Sequence, residues 1–488
     1  NAIPYAGAGF QIFRPDGSKV EMTFTYPEVT TIDTFYTNDA GMLITPEKLE
    51  FGKGYSLKEV SAPYGYILRH EAVKFDVTEE NSTEESGVTI VAVKLGNYAQ
   101  KGIIKISKTG EVFATVTAAA GVYQPVYTVP GLAGATYEIK AAADIYTPDG
   151  TLRCSAGEVV DTVTTGADGT VESKPLYLGK YEVKEITAPY GMVLNDEIHA
   201  VELVYAGQTV EVQTGSATFL NERQKAAVRV EKQDEETKNP LSGGIYGLYA
   251  AEDIKVDGKT VVPKGTLIEK ATTGADGKAS YKAELPINYS YSIREIQAPE
   301  LYLRNSEDTY TFTFKFTNDK EEKVNFSHTF TNKRVNATID LVKEDSKTGN
   351  SAQGDAVFEG AIYGLYARED INHPDGRSGV LYKKDEQVAT LTTDKAGKAS
   401  VSNLYLGKYY LKEITPPVGY LLDEEEHDVN CNYEGDQVET VKRNTVSKEE
   451  VTKQPLQLLT AADNDKHDAD RLKGPGFYAN LISSLTVK

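Results

Sequence analysis

A chain of 488 residues is too long for one hydrophobic core and fits about three to five domains. A formal net charge of −20, with the acidic residues dispersed along the chain, argues against a nucleic acid or an anionic membrane as partner and reads as solubility. Forty-one Gly, 31 Tyr, no Trp and three Met, among many Val and Thr, lean toward short strands and tight turns, and no amphipathic helix is legible.

The two cysteines, Cys154 and Cys431, fall in different repeats. A chain this long without a cysteine framework is either cytosolic or secreted by a bacterium that staples its proteins by other means. No apolar run reaches membrane-spanning length, and neither a leader nor a sorting tail is visible, so a soluble chain or a processed or excised piece of a longer one is expected.

Three phrases recur in the same order. The first is a small-residue bend entering a strand: Tyr5 to Phe10, Leu132 to Tyr137, Leu241 to Tyr246 and Phe358 to Tyr363, with a fifth at Leu472 to Phe477. The second is a turn ending in glycine, at Thr37 to Gly41, Thr165 to Gly169, Thr273 to Gly277 and Thr393 to Gly397, where Gly accepts positive φ and Asp or Asn bonds its own backbone. The third begins at Tyr55, Tyr181, Tyr291 and Tyr409 and reads Tyr, any residue, apolar, basic, Glu, before an Ala-Pro or Pro-Pro turn. This order predicts all-β units over 1–100, 101–225, 226–335 and 336–449, and the opening strands of a partial unit over 450–488. Short connectors such as Asn221 to Lys225 and Asn332 to Val335 leave little room for hinges, so the units should form a stiff rod.

Side chains in a strand alternate faces, so Glu59, Glu185, Glu295 and Glu413 each share the apolar face with the tyrosine four residues earlier. Burying a glutamate costs several kcal/mol unless it is neutralised or partnered. The same rule turns Lys108 inward with Ile104 and Ile106, Lys232 with Val228 and Val230, and Lys343 with Ile339 and Leu341. In the closing strands it turns Asn97, Asn221 and Asn332 inward, with Asn444 as the less clean choice in the fourth unit. Buried together, Lys, Glu and Asn are a reactive set. A neutral amine is a nucleophile, a carboxyl shuttles protons, and pre-positioning supplies the entropy of a bimolecular attack. The product would be a Lys–Asn amide with release of ammonia; the bland alternative is a buried salt bridge beside a hydrogen-bonded amide.

Val230 to Asp234, Leu241 to Tyr246, Tyr181 to Gly191 and the closing asparagines together resemble the collagen-adhesin B-type (Cna-B, SpaA-like) domains of Gram-positive surface adhesins and pilins. The resemblance implies prealbumin-like, Ig-like β-sandwiches carrying autocatalytic isopeptide bonds. Carried over by position, it implies Lys108–Asn221 with Glu185, Lys232–Asn332 with Glu295, and Lys343–Asn444 with Glu413. The first unit has Glu59 and Asn97 but no opening strand with a lysine, and the tail has Thr460 where a lysine should stand, so a segment cut from a longer tandem array is expected. Donor-strand pairing between chains is the lesser alternative to a monomer.

The functional expectation is a stalk or shaft on a Gram-positive cell wall, partnered by neighbouring domains of its own longer chain and stiffened by bonds that survive reduction. Each glutamate acts once, so the chain is no turnover enzyme. The six histidines lack metal spacing and no phosphate loop is present, so neither metal nor cofactor is expected. The alternative is an adhesive module binding a host protein or glycan through its long loops, Glu21 to Asp33, Glu111 to Pro130 and Asn372 to Glu386. A sortase-polymerised shaft would need a linking motif that is not visible.

Overall fold

The computed structural model describes residues 5–85, 88–119 and 122–456. Among them there is no helix, and the strands fall into repeated pairs of sheets. In the second unit the opening strand Lys101–Gly110 lies parallel to the closing strand Val212–Asn221, with short antiparallel strands beside the opening one. The facing sheet is antiparallel, in the order Val159–Thr164, Thr136–Ala141, Gly179–Thr187, Ile198–Leu203. The third unit repeats this with Lys225–Asp234 parallel to Lys323–Asn332, and the fourth with Asn336–Asp345 parallel to Thr440–Glu449. Chain ends far apart in sequence thus lie side by side, which a parallel pairing requires.

Alternation decides what fills the space between the sheets. Ile104, Ile106, Tyr181, Val183, Ala217 and Phe219 form one core, and the corresponding residues form separate cores in the third and fourth units. The first unit carries a single four-stranded sheet, Phe35–Tyr36, Gly9–Phe13, Gly52–Ser61, Val73–Val77, over a smaller core. No described residues there form an opening strand corresponding to Lys101–Gly110. The expected further unit lies outside the described residues from 457 onward, Thr460 and the bend at Leu472 to Phe477 with it.

The units join end to end through one recurring joint. The Ala-Pro turn after each of the first three glutamate strands is capped by a loop of the next unit: Gln208 Oε1 accepts from Ala62 N at 2.7 Å, Asp319 Oδ2 from Ala188 N at 3.4 Å, and Asp436 Oδ2 from Ala298 N at 3.1 Å. The same loop residues accept from Leu68, Leu194 and Arg304 through their carbonyls. Gln100 and Gln224, both buried in the connectors, complete the first two joints. The Gln224 amide donates to Thr317 Oγ1, Asn318 O and Glu321 O and accepts from Thr317 N. At the third joint Val335 takes this place, and its N–H bonds Leu301 O at 2.9 Å.

Two of the three long segments read as binding loops are engaged in these joints. Glu111 to Pro130 forms the hairpin Val112–Ala119 and Val122–Thr128, which packs Phe113, Val116 and Tyr123 on the core of the third unit. Its Gln124 and Tyr127 also donate to Ile268 O and Glu284 O. Within Asn372 to Glu386, Asp375 accepts from Thr237 and Asn239 of the third unit. Sequence reading missed the first because its apolar residues serve a neighbouring unit, and the second because polar bonds between units leave no periodic signal.

Candidate functional site

The phrases found in sequence converge on one spot in each unit. The turn glycines Gly169, Gly277 and Gly397 stand at φ of 77°, 72° and 73°, and their carbonyls accept from Lys108 N, Lys232 N and Lys343 N at 2.7, 2.7 and 2.8 Å. A Cβ there would meet the lysine carbonyl at 2.5, 2.6 or 2.8 Å, so only glycine lets the turn hold the lysine backbone. The threonine opening each turn ties it to the bend: Thr165, Thr273 and Thr393 donate to Leu132 O, Leu241 O and Phe358 O.

In the second unit Lys108 and Glu185 are fully buried, and Lys108 Nζ lies 3.0 Å from Glu185 Oε1. Lys108 Nζ donates to Asn221 Oδ1, and Asn221 Nδ2 donates to Glu185 Oε2 at 2.8 Å. One carboxylate therefore faces both nitrogens, an oxygen to each. The third unit repeats the triangle: Lys232 Nζ is 3.4 Å from Glu295 Oε1 and donates to Asn332 Oδ1, while Asn332 Nδ2 lies 3.0 and 3.1 Å from the two Glu295 oxygens. Burial pushes the Lys108 amine down and the Lys232 amine down to about 8, partly offset by the facing carboxylate, so both move toward the nucleophilic neutral form.

Two further groups hold each glutamate. Asn195 N and Asn305 N donate to Oε2 at 2.8 Å. Tyr137 OH and Tyr246 OH donate to Oε1 at 3.4 and 3.0 Å. These tyrosines end the bend phrase and pair with the glutamate across the sheet, and burial beside the carboxylate raises both phenols. Alternation along a strand gives these tyrosines no role by itself. The available signal was that the first bend ends in Phe10, which lies opposite Glu59.

The first unit holds half of a site. Asn97 Nδ2 donates to Glu59 Oε1 at 2.6 Å and Arg69 N donates to Oε2 at 2.8 Å, the same frame without a lysine among the described residues.

The fourth unit corrects the expected partner of Lys343. Lys343 stands opposite Ser447, as Lys108 stands opposite Phe219 and Lys232 opposite Phe330, so the residue two beyond is Glu449, in the place of Asn221 and Asn332. The bridges Met192 to Arg223, Tyr302 to Arg334 and Tyr420 to Val451 give the same alignment. Asn444 lies opposite Asp340 and is exposed. Asn444 lies five residues before Glu449, and an odd offset along a strand puts a side chain on the opposite face. Lys343 Nζ is 2.8 Å from Glu413 Oε1 and contacts Glu449 Oε2, and burial pushes its amine down.

Among the described residues no cluster of His, Cys, Asp or Glu is arranged to hold a metal ion. Asp144, Asp253 and Asp370, which recur after the second strand, cap turns by accepting from Ala156 N, Lys264 N and Lys384 N. His328 stacks on Tyr310 with ring centres 4.9 Å apart, and Cys154 and Cys431 are both free.

The family described as SpaA, a prealbumin-like fold domain, matches residues 2–90, 127–218, 226–329 and 337–446. The collagen adhesin of Staphylococcus aureus is 29% identical over 213 residues, 41% of this chain and 16% of that protein. The trypsin-resistant surface T6 protein of Streptococcus pyogenes serotype M6 is 26% identical over 137 residues, 27% of this chain and 25% of that protein. The chain thus spans no more than a quarter of the length of either relative. Among solved structures, the Bacillus anthracis TIE protein aligns at a TM-score of 0.48 and 20% identity, over 92% of this chain and 69% of that one. BcpA, the major pilin subunit of Bacillus cereus, aligns at 0.27 and 14%, over 72% of this chain and 100% of that one.

Proposed function

Because the chain belongs to the SpaA family of prealbumin-like fold domains, we propose that it is a structural shaft segment of a Gram-positive surface adhesin or pilus, working outside the cell. In this reading units 101–225 and 226–335 close themselves with Lys108–Asn221 and Lys232–Asn332 amides. The observation that carries it is the double contact of one buried carboxylate with both the amine and the amide nitrogen.

The step uses groups already in contact. The neutral Lys108 amine adds to Cγ of Asn221, and Glu185 takes the proton from Nζ through Oε1. As the tetrahedral carbon collapses, the carboxyl delivers a proton to Nδ2 from the Oε2 side, the Cγ–Nδ2 bond breaks, and ammonia leaves. Asn195 N and Tyr137 OH keep the carboxyl aimed throughout. Glu185 ends as it began, after one turnover per molecule. The competing description, a buried ion pair left unreacted, bears the cost of two desolvated charges, whereas amide formation leaves the lysine nitrogen uncharged.

The parallel pairing makes the bond mechanical. Tension entering the third unit at Lys225 and leaving at Asn332 would pass through the bond once the short segment before Lys232 is taut. The sandwich between then carries no load. The alternative, adhesion through loops, is left mainly with the hairpin Met22–Phe24 and Thr30–Ile32, where Tyr26 is 90% exposed.

Intact mass and peptide mapping of the full chain test this reading. We expect branched peptides joining Lys108 to Asn221 and Lys232 to Asn332, each short of one ammonia, with Glu185→Gln and Glu295→Gln each abolishing its own. Recovery of both lysines in linear peptides would overturn it. Asn97 should remain unjoined within this chain.

A further inference from the structure

The fourth unit keeps the frame of the others but fills it with different groups. Glu449 replaces the asparagine, Ser447 replaces the phenylalanine opposite the lysine, and Asp423 replaces the asparagine whose N–H bonds the central glutamate. Tyr363, opposite Glu413 in the sheet, donates at 2.8 Å to Glu449 Oε1, whereas Tyr137 and Tyr246 donate to the central glutamate. These are four coordinated changes around one lysine.

We propose that the fourth unit closes with a Lys343–Glu449 amide, formed with loss of water in place of ammonia. The idea rests on the chemistry proposed for the second and third units but assigns a different electrophile and leaving group.

Glu449 Oε2 contacts Lys343 Nζ, and Glu413 Oε1 lies 2.8 Å from the same nitrogen. Glu449 Oε1 sits against two hydroxyls, Tyr363 OH at 2.8 Å and Ser447 Oγ at 3.0 Å. Negative charge develops on that oxygen when nitrogen adds to Cδ, and two fixed donors aimed at it make an oxyanion cradle. Ser447 Oγ also lies 2.8 Å from Asp423 Oδ2, but His427 Nε2 stands 2.7 Å from the same oxygen. Asp423 Oδ2 and Glu449 Oε1 compete for the single Ser447 proton; a bond donated by His427 partly satisfies Asp423, and the charge growing on Glu449 Oε1 draws the proton there.

Space and charge agree with this assignment. Phe219 and Phe330 pack on Tyr137 and Tyr246 with ring centres 4.7 Å apart. A hydroxymethyl group at Ser447 opens the room that the extra methylene of a glutamate needs. Two carboxylates crowd one ammonium, Glu449 Oε2 in contact with Nζ and Glu413 Oε1 2.8 Å from it, so a proton of the ammonium can pass to Glu449 Oε2 and leave a neutral amine, a carboxylic acid and the Glu413 carboxylate. From that state Nζ adds to Cδ, and Glu413 takes a proton from nitrogen and passes it to Oε2. The Cδ–Oε2 bond then breaks and Oε2 leaves as water. Atoms balance and no co-reactant is needed.

Peptide mapping of the full chain decides it, with all three centres read in one digest. The expected result is a branched peptide joining Lys343 to Glu449 and lacking one water; Glu413→Gln leaves it linear, and Glu449→Gln turns the loss into ammonia. Linear Lys343 and Glu449 peptides beside joined second and third units overturn this proposal alone. Linear peptides at all three centres overturn it together with the proposed function. A joined Glu449→Gln variant beside an unjoined parent also refutes it, because the frame would then be competent and the acid not its electrophile.

Discussion

Glu295→Gln is the perturbation that separates a covalent loop from an ion pair. The variant keeps the size of the side chain and leaves Lys232 and Asn332 in place, but removes the group that moves the proton. The bond would close a loop spanning 100 residues, and loop-closure entropy makes that worth about 5 kcal/mol. For a unit of this length each kcal/mol moves the melting midpoint by about 4 °C or more, so the third unit should melt at least about 20 °C lower. The variant also leaves a free buried amine, which adds to the loss. Differential scanning calorimetry of the full chain, beside peptide mapping, makes the measurement. Adding Asn332→Ala to Glu295→Gln should change little further, because both substitutions remove the same bond. A midpoint within about 5 °C of the parent, with the bond shown absent, would refute the entropic argument. A bond that still forms would refute the role given to the glutamate.

Three further outcomes follow from the same geometry. In Asn332→Ala the Lys232 amine stays free, depressed by burial to about 8 from its ordinary 10.5. Between those values the unfolded chain holds a proton that the folded one does not, so stability should rise with pH across that window, by about 3 kcal/mol in all; the parent, its nitrogen an amide, should stay flat when urea midpoints are compared. Tyr246→Phe removes the 3.0 Å bond to Glu295 and should slow joining about tenfold with the fold kept, read as the joined fraction against time after dilution of freshly made unfolded chain; an unchanged rate would deny the hydroxyl its positioning part. Gln224→Ala strips the bonds that hold the second joint, and small-angle scattering should then report a shorter, broader distribution of dimensions, whereas an unchanged profile would mean the joint is held elsewhere.

Much of this was legible in the chain because strands report their faces. A period of two assigned Lys108, Lys232, Lys343, Glu185, Glu295, Glu413, Asn221 and Asn332 to the interior, and all are buried. The repeated turn glycines marked positions where backbone approaches backbone, and Gly169, Gly277 and Gly397 each proved to hold a lysine. Asn444 was misread because a period of two says nothing about phase: Val441, Ser447 and Glu449 are buried, and Asn444 points the other way.

Local pattern therefore determined the all-β class, the repeat and the inward faces, since these depend on neighbouring residues and on the alternation of a strand. Tertiary structure alone decided which residue meets which lysine, because a parallel pairing of strands about a hundred residues apart takes its register from the packed sandwich. For the same reason it alone brought Glu449, Ser447 and Tyr363 around one nitrogen, and turned the stretch read as a binding loop at Glu111 to Pro130 into a buttress for the next unit.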